Sequence, residues 1–230
     1  MTLEQARAIS QGYKVVPISR EVLSDMKTPM EVLRILKGVS KHCYMLESVE
    51  NQEVWGRYTF LGYDPKLEIT CTDGTMTIRE SGEDEGVTKQ VQHPGECIKE
   101  ILQDYTSPKV PDMPSFTGGL VGYFSYDYVK YSEPKLKLDA ADEEGFKDVD
   151  LMLFDKVIVF DNLKQKIVII ANAQVDHLDE EYDRCQKEIQ EIIDLIQNGT
   201  PAYIEPGQIT SEFRPLFSEK EYCEMVEKAK

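Results

Sequence analysis

The sequence has few of the residues that build metal sites and disulfide frameworks. It contains three histidines and five cysteines in 230 residues. No two cysteines form a Cys-x-x-Cys pair, and the histidines at positions 42, 93 and 177 do not have the spacing of metal ligands. A structural zinc site therefore has no support, and no metal ligand is predicted in this chain. An odd number of scattered cysteines favours reduced thiols, as in the cytoplasm.

Basic residues are too few to balance the acidic ones, and long hydrophobic runs are scarce. The chain carries 26 Lys and Arg against 42 Asp and Glu, which gives a net charge of −16. A surface this acidic repels phosphate groups, so we expect neither nucleic-acid binding nor binding to anionic membranes. The longest apolar runs, such as 151–154 and 167–171, are too short to span a bilayer. The N-terminal residues lack the basic start and apolar stretch of a secretory signal.

Helix signals are clear in three segments. Thr28 and Glu31 form a capping box and predict a helix over residues 29–37. Apolar residues recur at intervals of three and four over 177–198, which predicts the longest helix of the chain. A shorter pattern of the same period predicts a helix over 94–105.

Strand signals are more frequent than helix signals. The Asp73-Gly74 pair between two alternating runs predicts a tight hairpin, with a polar loop following over 81–93. Two β-prone runs, 150–160 and 165–172, predict a second hairpin. Two further segments predict single strands: a buried strand over 43–48 and another strand over 54–62. Hairpins outnumber any β-α-β pattern, which predicts an α+β fold of antiparallel sheets packed with helices.

The sequence shows no catalytic motif of its own. The glycines from Gly118 to Gly122 superficially resemble a phosphate-binding loop, but no Lys-Ser/Thr pair follows them. Close backbone packing in a strand is the better interpretation. Arg57, in an otherwise apolar strand, is interpreted as one half of a structural ion pair.

Glu47 and Ser48 end an apolar strand with a carboxylate and a hydroxyl. The residues alone leave two interpretations open. Either the strand simply reaches solvent at Glu47, or the two form an amino-acid site. In such a site Glu47 faces an ammonium group and Ser48 adds a hydrogen bond, which would offset the cost of a buried carboxylate.

Three motifs resemble a known family. The segments MLESVE (45–50), GRYTFLGYDP (56–65) and GGLVGYFSYDYV (118–129) are similar, in order and spacing, to the N-terminal half of anthranilate synthase component I. The last segment, 215–230, is similar to the start of the chorismate-binding half of that family. The resemblance covers roughly residues 20–230.

The resemblance implies an α+β fold and a division into two parts. Residues 1–215 would form the N-terminal regulatory domain, and 216–230 the first helix of an otherwise absent chorismate-binding domain. The implied activity is that of a lyase of tryptophan biosynthesis, which converts chorismate and ammonia to anthranilate and pyruvate. A glutamine amidotransferase, component II, supplies the ammonia, and Mg²⁺ assists. The family's catalytic and magnesium residues lie in the absent half, so this piece alone is expected to be inactive.

The resemblance also implies a regulatory site for L-tryptophan at Leu46, Glu47 and Ser48, with Ser48 the most direct match. It therefore favours the amino-acid-site interpretation of Glu47 and Ser48. The alternative within the superfamily is aminodeoxychorismate synthase component I of the folate pathway, which an Asp in place of Glu47 would favour. Alternatives of another class are a stand-alone amino-acid-binding module and a structural scaffold protein.

Overall fold

The computed structural model describes residues 1–47, 56–133, 135–136 and 144–230. Within them, ten strands form two five-stranded sheets in which all neighbouring strands are antiparallel. The strands are β1 (Val15–Leu23), β2 (Cys43–Glu47), β3 (Tyr58–Tyr63), β4 (Leu67–Thr72), β5 (Thr75–Glu80), β6 (Val87–Gln90), β7 (Gly119–Phe124), β8 (Val149–Phe154), β9 (Lys156–Asp161) and β10 (Lys166–Gln174). The helices are α1 (Leu3–Ile9), α2 (Pro29–Val39), α3 (Pro94–Gln103), α4 (Leu178–Asn198) and α5 (Glu219–Ala229).

The first sheet has the strand order β1-β10-β9-β3-β2. Helices α1, α2 and α4 cover one of its faces and bury the larger core of the molecule. Alternate residues of the central strands point into this core, as the two-residue period of a strand requires. Its fully buried members include Ile18, Leu36, Leu61, Ile158, Ile169 and Ile189.

The predicted helices are confirmed, with small shifts at their ends. In α2 the backbone N–H of Glu31 donates to Thr28 Oγ1 at 3.2 Å, and the Thr28 N–H donates to Glu31 Oε2 at 3.0 Å. This capping box satisfies two donors that a helix start leaves free. The long helix α4 buries one apolar side against the first sheet, including Cys185, Ile189 and Ile192.

The second sheet has the strand order β6-β5-β4-β8-β7 and packs one face against α3. The predicted hairpin is confirmed as β4 and β5. Asp73 and Gly74 form its turn with φ angles of 47° and 75°, as a tight primed turn needs. The prediction of a loop over 81–93 is wrong in part, because β6 adds a short strand there. The four residues of β6 are all exposed, so no burial pattern marks them.

The prediction of a single strand over 150–160 is wrong. The chain leaves the second sheet after Phe154 and enters the first sheet at Lys156, with only Asp155 between them. Strand β8 pairs with β4 and β7, whereas β9 pairs with β10 and β3. Both strands are rich in buried apolar residues, so the sequence pattern continues through the point where the chain changes sheets. The predicted second hairpin is therefore β9 with β10.

Strand β2 is not buried as predicted. It forms an edge of the first sheet and pairs with β3 alone among the described strands. Its last two residues, Leu46 and Glu47, are exposed. An apolar run of five residues does not distinguish an edge strand from a central one.

Helix α5 begins at a capping box of Ser218 and Glu221, and none of its residues is buried. The division of the chain at residue 215 stays a prediction.

No helix in the described part of the chain is long and apolar enough to cross a membrane. The α+β class is confirmed by the two antiparallel sheets and their helices.

Candidate functional site

The end of β2 carries the residues predicted to contact an amino acid. The pairing of β2 with β3 is regular, with Leu46 opposite Phe60 and Glu47 opposite Thr59. Successive side chains of a strand point to opposite faces, so Leu46 and Glu47 do not share one. Glu47 lies on the side of the helices, and Leu46 on the other side. Ser48 lies outside the described residues.

Leu46 belongs to a face of the first sheet that no α-helix covers in the described structure. We call it the aromatic face, defined by Leu46, Tyr58, Phe60 and Phe116. Under the aromatic side chains lies a buried aliphatic layer from β9 and β10, formed by Val157, Val159, Val168 and Ile170. The aromatic side chains are half-buried, and Leu46 is 50% exposed.

The rings of the aromatic face have specific contacts with one another. Phe116 meets Phe60 edge-to-face, with ring centroids 5.9 Å apart and an interplanar angle of 86°. The Tyr58 ring lies at the same centroid distance from Phe60, with an interplanar angle of 48°. Aromatic pairs prefer such edge-to-face and tilted arrangements. A half-exposed set of rings beside an edge strand is suited to receive a further ring.

Arg57 forms the structural ion pair predicted from the sequence. Its Nε and Nη2 donate to the two carboxylate oxygens of Asp161 at 3.0 and 2.6 Å. Asp161 is 2% exposed and also accepts the backbone N–H of Lys164. Burial alone would raise the pKa of Asp161, but the hydrogen bonds from Arg57 and Lys164 outweigh it and hold this pKa below its ordinary value. The guanidinium also lies 4.8 Å from the centre of the Tyr58 ring, so the pair fixes one end of the aromatic face.

A second polar cluster fastens the turn of the β4–β5 hairpin. The hydroxyl of Tyr131 donates to Asp148 Oδ2 at 2.7 Å and accepts the N–H of Gly74 at 2.7 Å. Lys130 pairs with Asp73 and Asp148 at 2.7 and 2.9 Å. Burial would raise the pKa of Asp148, but Lys130 and Tyr131 hold it below the ordinary value.

An open cavity of about 530 Å³ lies beside this cluster and includes Asp73, Lys130 and Tyr131 in its lining. Because the charged groups pair with each other, the arrangement serves to hold the hairpin.

Sequence reasoning missed Phe116, Asp148 and Asn172. Phe116 lies in a proline-bearing loop, and Asp148 directly precedes β8. Asn172 is the more visible, because it is a lone amide inside a strand that is otherwise apolar over 167–173. A polar residue in such a run must find hydrogen-bond partners when the strand is buried, and this signal marks it from sequence.

Gly122 of β7 packs closely, as predicted, whereas a Cβ at Gly119 would meet only the Phe116 ring, at an ordinary 3.5 Å. A Cβ added at Gly122 would lie 2.0 Å from the carbonyl oxygen of Asp150 in the paired strand. This supports close strand packing as the reason for the glycine, because the neighbouring strand fills the space beside Gly122. The described residues also contain no group of three or more His, Cys, Asp or Glu side chains that could hold a metal ion.

Comparisons with a family model and with known proteins point to the same family. A family model described as chorismate binding enzyme matches residues 41–230. Component 1 of anthranilate synthase from Acinetobacter calcoaceticus is 34% identical over 95% of this chain and 44% of its own length. The proteins of that name from Acetivibrio thermocellus and Pseudomonas aeruginosa are 33% and 35% identical, over 100% and 99% of this chain and 47% of their own lengths. The chain thus spans about half the length of the curated relatives that it matches.

A solved structure has the same fold. The crystal structure of anthranilate synthase component I from Streptococcus pneumoniae TIGR4 aligns with a TM-score of 0.54 and 23% identity. The alignment covers 90% of this chain and 44% of that chain. At this identity the likeness establishes the fold alone.

Proposed function

Since the chain belongs to the chorismate binding enzyme family, we propose that it is the N-terminal, regulatory part of the large subunit of an anthranilate synthase. The observation that carries this proposal is the sequence identity of 33–35% to component 1 of anthranilate synthase over almost the whole chain. The motif order found in the sequence supports the same branch of the family.

In this proposal the complete protein aminates chorismate and releases pyruvate, giving anthranilate in the cytoplasm. A glutamine amidotransferase, component II, supplies the ammonia. We assign magnesium and the catalytic residues to the half of the relatives that the chain does not span. The described residues contain no group of three or more His, Cys, Asp or Glu side chains that could hold the ion. The role left to this chain is regulation by L-tryptophan.

The aromatic face supports a regulatory site for L-tryptophan beside β2. An indole ring is flat and apolar, and Tyr58, Phe60 and Phe116 offer it half-buried ring edges and faces. In the proposal Leu46 contacts the ring, while Glu47 and Ser48 face the ammonium group at the strand end. Glu47 lies on the opposite face of the sheet from Leu46, so it reaches this ligand only around the end of β2. Tryptophan inhibits because it binds one arrangement of the two halves better than the other.

Genetic complementation tests the assignment to the tryptophan branch. The complete protein, carrying the half that the relatives add, is expressed in a strain that lacks its own anthranilate synthase large subunit. Growth without tryptophan is the expected result. A protein that instead restores only a strain requiring 4-aminobenzoate belongs to the folate branch and contradicts the proposal.

Ser48→Ala tests the regulatory site in the complete enzyme. Loss of a hydrogen bond to the ammonium group weakens tryptophan binding, so we expect the half-inhibitory concentration of tryptophan to rise about tenfold, with the uninhibited rate unchanged. The matched control is Ser81→Ala, in the exposed turn after β5. An unchanged half-inhibitory concentration in the Ser48 variant would remove Ser48 from the site.

A further inference from the structure

Asn172 lies inside β10 with 7% of its surface exposed, between Ala171 and Ala173. It points to the same side of the first sheet as Val168 and Ile170, which form the layer under the aromatic face. A buried amide destabilises a protein unless its polar atoms are hydrogen-bonded. The proposed function assigns no role to Asn172, so its hydrogen-bond partners are the guide to what it does.

The Asn172 side chain binds two separate segments. Its Nδ2 donates to the carbonyl oxygen of Thr117 at 2.7 Å and to that of Asp155 at 2.9 Å. The Asn172 backbone N–H donates to the same Asp155 oxygen at 3.0 Å. Asp155 is the single residue between β8 and β9, and Thr117 precedes β7. One amide group therefore holds the point where the chain changes sheets and the loop that enters the second sheet.

Asn172 is itself held in place. Arg184 of α4 donates from Nη2 to the Asn172 carbonyl oxygen at 2.9 Å. The same guanidinium pairs with Glu181 and Glu188 at 2.7 Å each. The packing around the amide is close, because a Cβ added at Gly118 would lie 2.6 Å from Asn172 Nδ2. The amide is thus a rigid support for the Thr117 carbonyl.

Phe116 is the residue directly before Thr117. Its ring closes one side of the aromatic face by its edge-to-face contact with Phe60. The Thr117 carbonyl lies in the planar peptide unit that joins Thr117 to Gly118, so holding it also holds the Cα of Thr117, the residue bonded to Phe116. This shortens the stretch of chain over which the Phe116 ring can move. The hydrogen bond to Thr117 thus links a buried amide to the position of one wall of the proposed tryptophan site.

We propose that Asn172 is a positioning residue for the regulatory site: it holds Phe116 against Phe60 and thereby sets the affinity for tryptophan. This inference rests on the proposed function for its regulatory part. Its structural part, the hold on Phe116, does not depend on that function. The two parts are tested separately.

Hydrogen exchange in the complete protein tests the structural part. In Asn172→Ala, amides over 117–120 are expected to exchange at least about tenfold faster, while those in the centre of α4 keep their rates. The matched control, Asn162→Ala, removes an amide that lies 3.4 Å from Thr59 Oγ1 and should leave 117–120 unchanged. Unchanged exchange over 117–120 in Asn172→Ala overturns the inference. If that variant does not fold, Asn172→Leu, which keeps the shape of the side chain but has no donor, takes its place with the same criterion.

Tryptophan inhibition of the complete enzyme tests the regulatory part. Asn172→Ala should raise the half-inhibitory concentration about fivefold, with kcat and KM for chorismate within about twofold of wild type. Because Asn172 acts through Phe116, adding Asn172→Ala to Phe116→Leu should raise it no further than Phe116→Leu alone. This part is refuted if the effects of the two substitutions multiply in the double variant. It is also refuted if Asn172→Ala leaves the half-inhibitory concentration unchanged. A wild-type enzyme that tryptophan does not inhibit refutes the proposed regulation itself, and hydrogen exchange then still decides the hold on Phe116.

Discussion

At the scale of single residues, the Arg57–Asp161 pair places a charged carboxylate in a buried position. Replacing Asp161 by Asn leaves the guanidinium without its carboxylate partner, so we expect a loss of about 3 kcal/mol in the free energy of unfolding at pH 7. Urea denaturation measures this loss. The control is Asp179→Asn, because the Arg7–Asp179 pair is exposed on both sides and should contribute nothing measurable.

The lowered pKa of Asp161 predicts the sign with which the free energy of unfolding depends on pH. The folded state lowers the pKa of Asp161, so the carboxylate stabilises the protein above its unfolded pKa of about 4. This contribution is lost as the pH falls from there through the lowered pKa. The difference in unfolding free energy between wild type and Asp161→Asn should therefore shrink between pH 5 and about pH 2. A difference that stays constant over this range would show that the Asp161 charge does not stabilise the fold.

Some of these residues could be predicted from the sequence and others could not. Arg57 was recognisable, because a guanidinium in a run predicted as an apolar strand needs a carboxylate nearby, although the structure places Arg57 directly before β3. Its partner was not, since Asp161 lies 104 positions away and only the pairing of β3 with β9 brings them together. The opposite orientations of Leu46 and Glu47 follow from strand periodicity once β2 is known to be regular up to Glu47.

At the scale of secondary-structure elements, the close packing of β7 on β8 depends on a missing side chain. Gly122 has a φ of 154°, and a methyl group there would collide with the Asp150 carbonyl at 2.0 Å. We expect Gly122→Ala to lower the free energy of unfolding by more than about 2 kcal/mol, from strain and displaced pairing together. Thermal and urea denaturation measure the change.

Gly38→Ala is the control, because it is not expected to lower the free energy of unfolding. Gly38 lies in α2, and a Cβ there would meet only the Cβ of Ala202, at an ordinary 3.9 Å. Alanine favours a helix over glycine by up to about 1 kcal/mol, so this variant should be neutral or more stable. If both variants lose stability equally, close packing at Gly122 is not what distinguishes it.

Elements with local signals were predictable, and the contacts between elements were not. The capping box of α2 and the Asp-Gly turn of β4–β5 are each determined by residues within a few positions. The change of sheet at Asp155 has no such signal, because hydrophobic runs of two adjoining strands look the same as one longer run. Strand β6 was missed because it is fully exposed, so neither alternation nor burial marks it.

At the scale of the whole molecule, three motifs in order identified the family, and the two-sheet fold agrees with it. The sequence could not place the loop of Phe116 against the first sheet. That placement depends on Asn172 and on the chain crossing between sheets, both of which involve residues distant in sequence. The aromatic face therefore became visible only in the structure.

The central claim is that the complete protein is an anthranilate synthase large subunit regulated through this chain. The most direct measurement is the fluorescence of anthranilate formed by the purified complete protein from chorismate, Mg²⁺ and ammonium, with and without L-tryptophan. We predict that anthranilate forms and that tryptophan suppresses its formation. Formation of aminodeoxychorismate in place of anthranilate, or no amination of chorismate at all, would contradict the assignment.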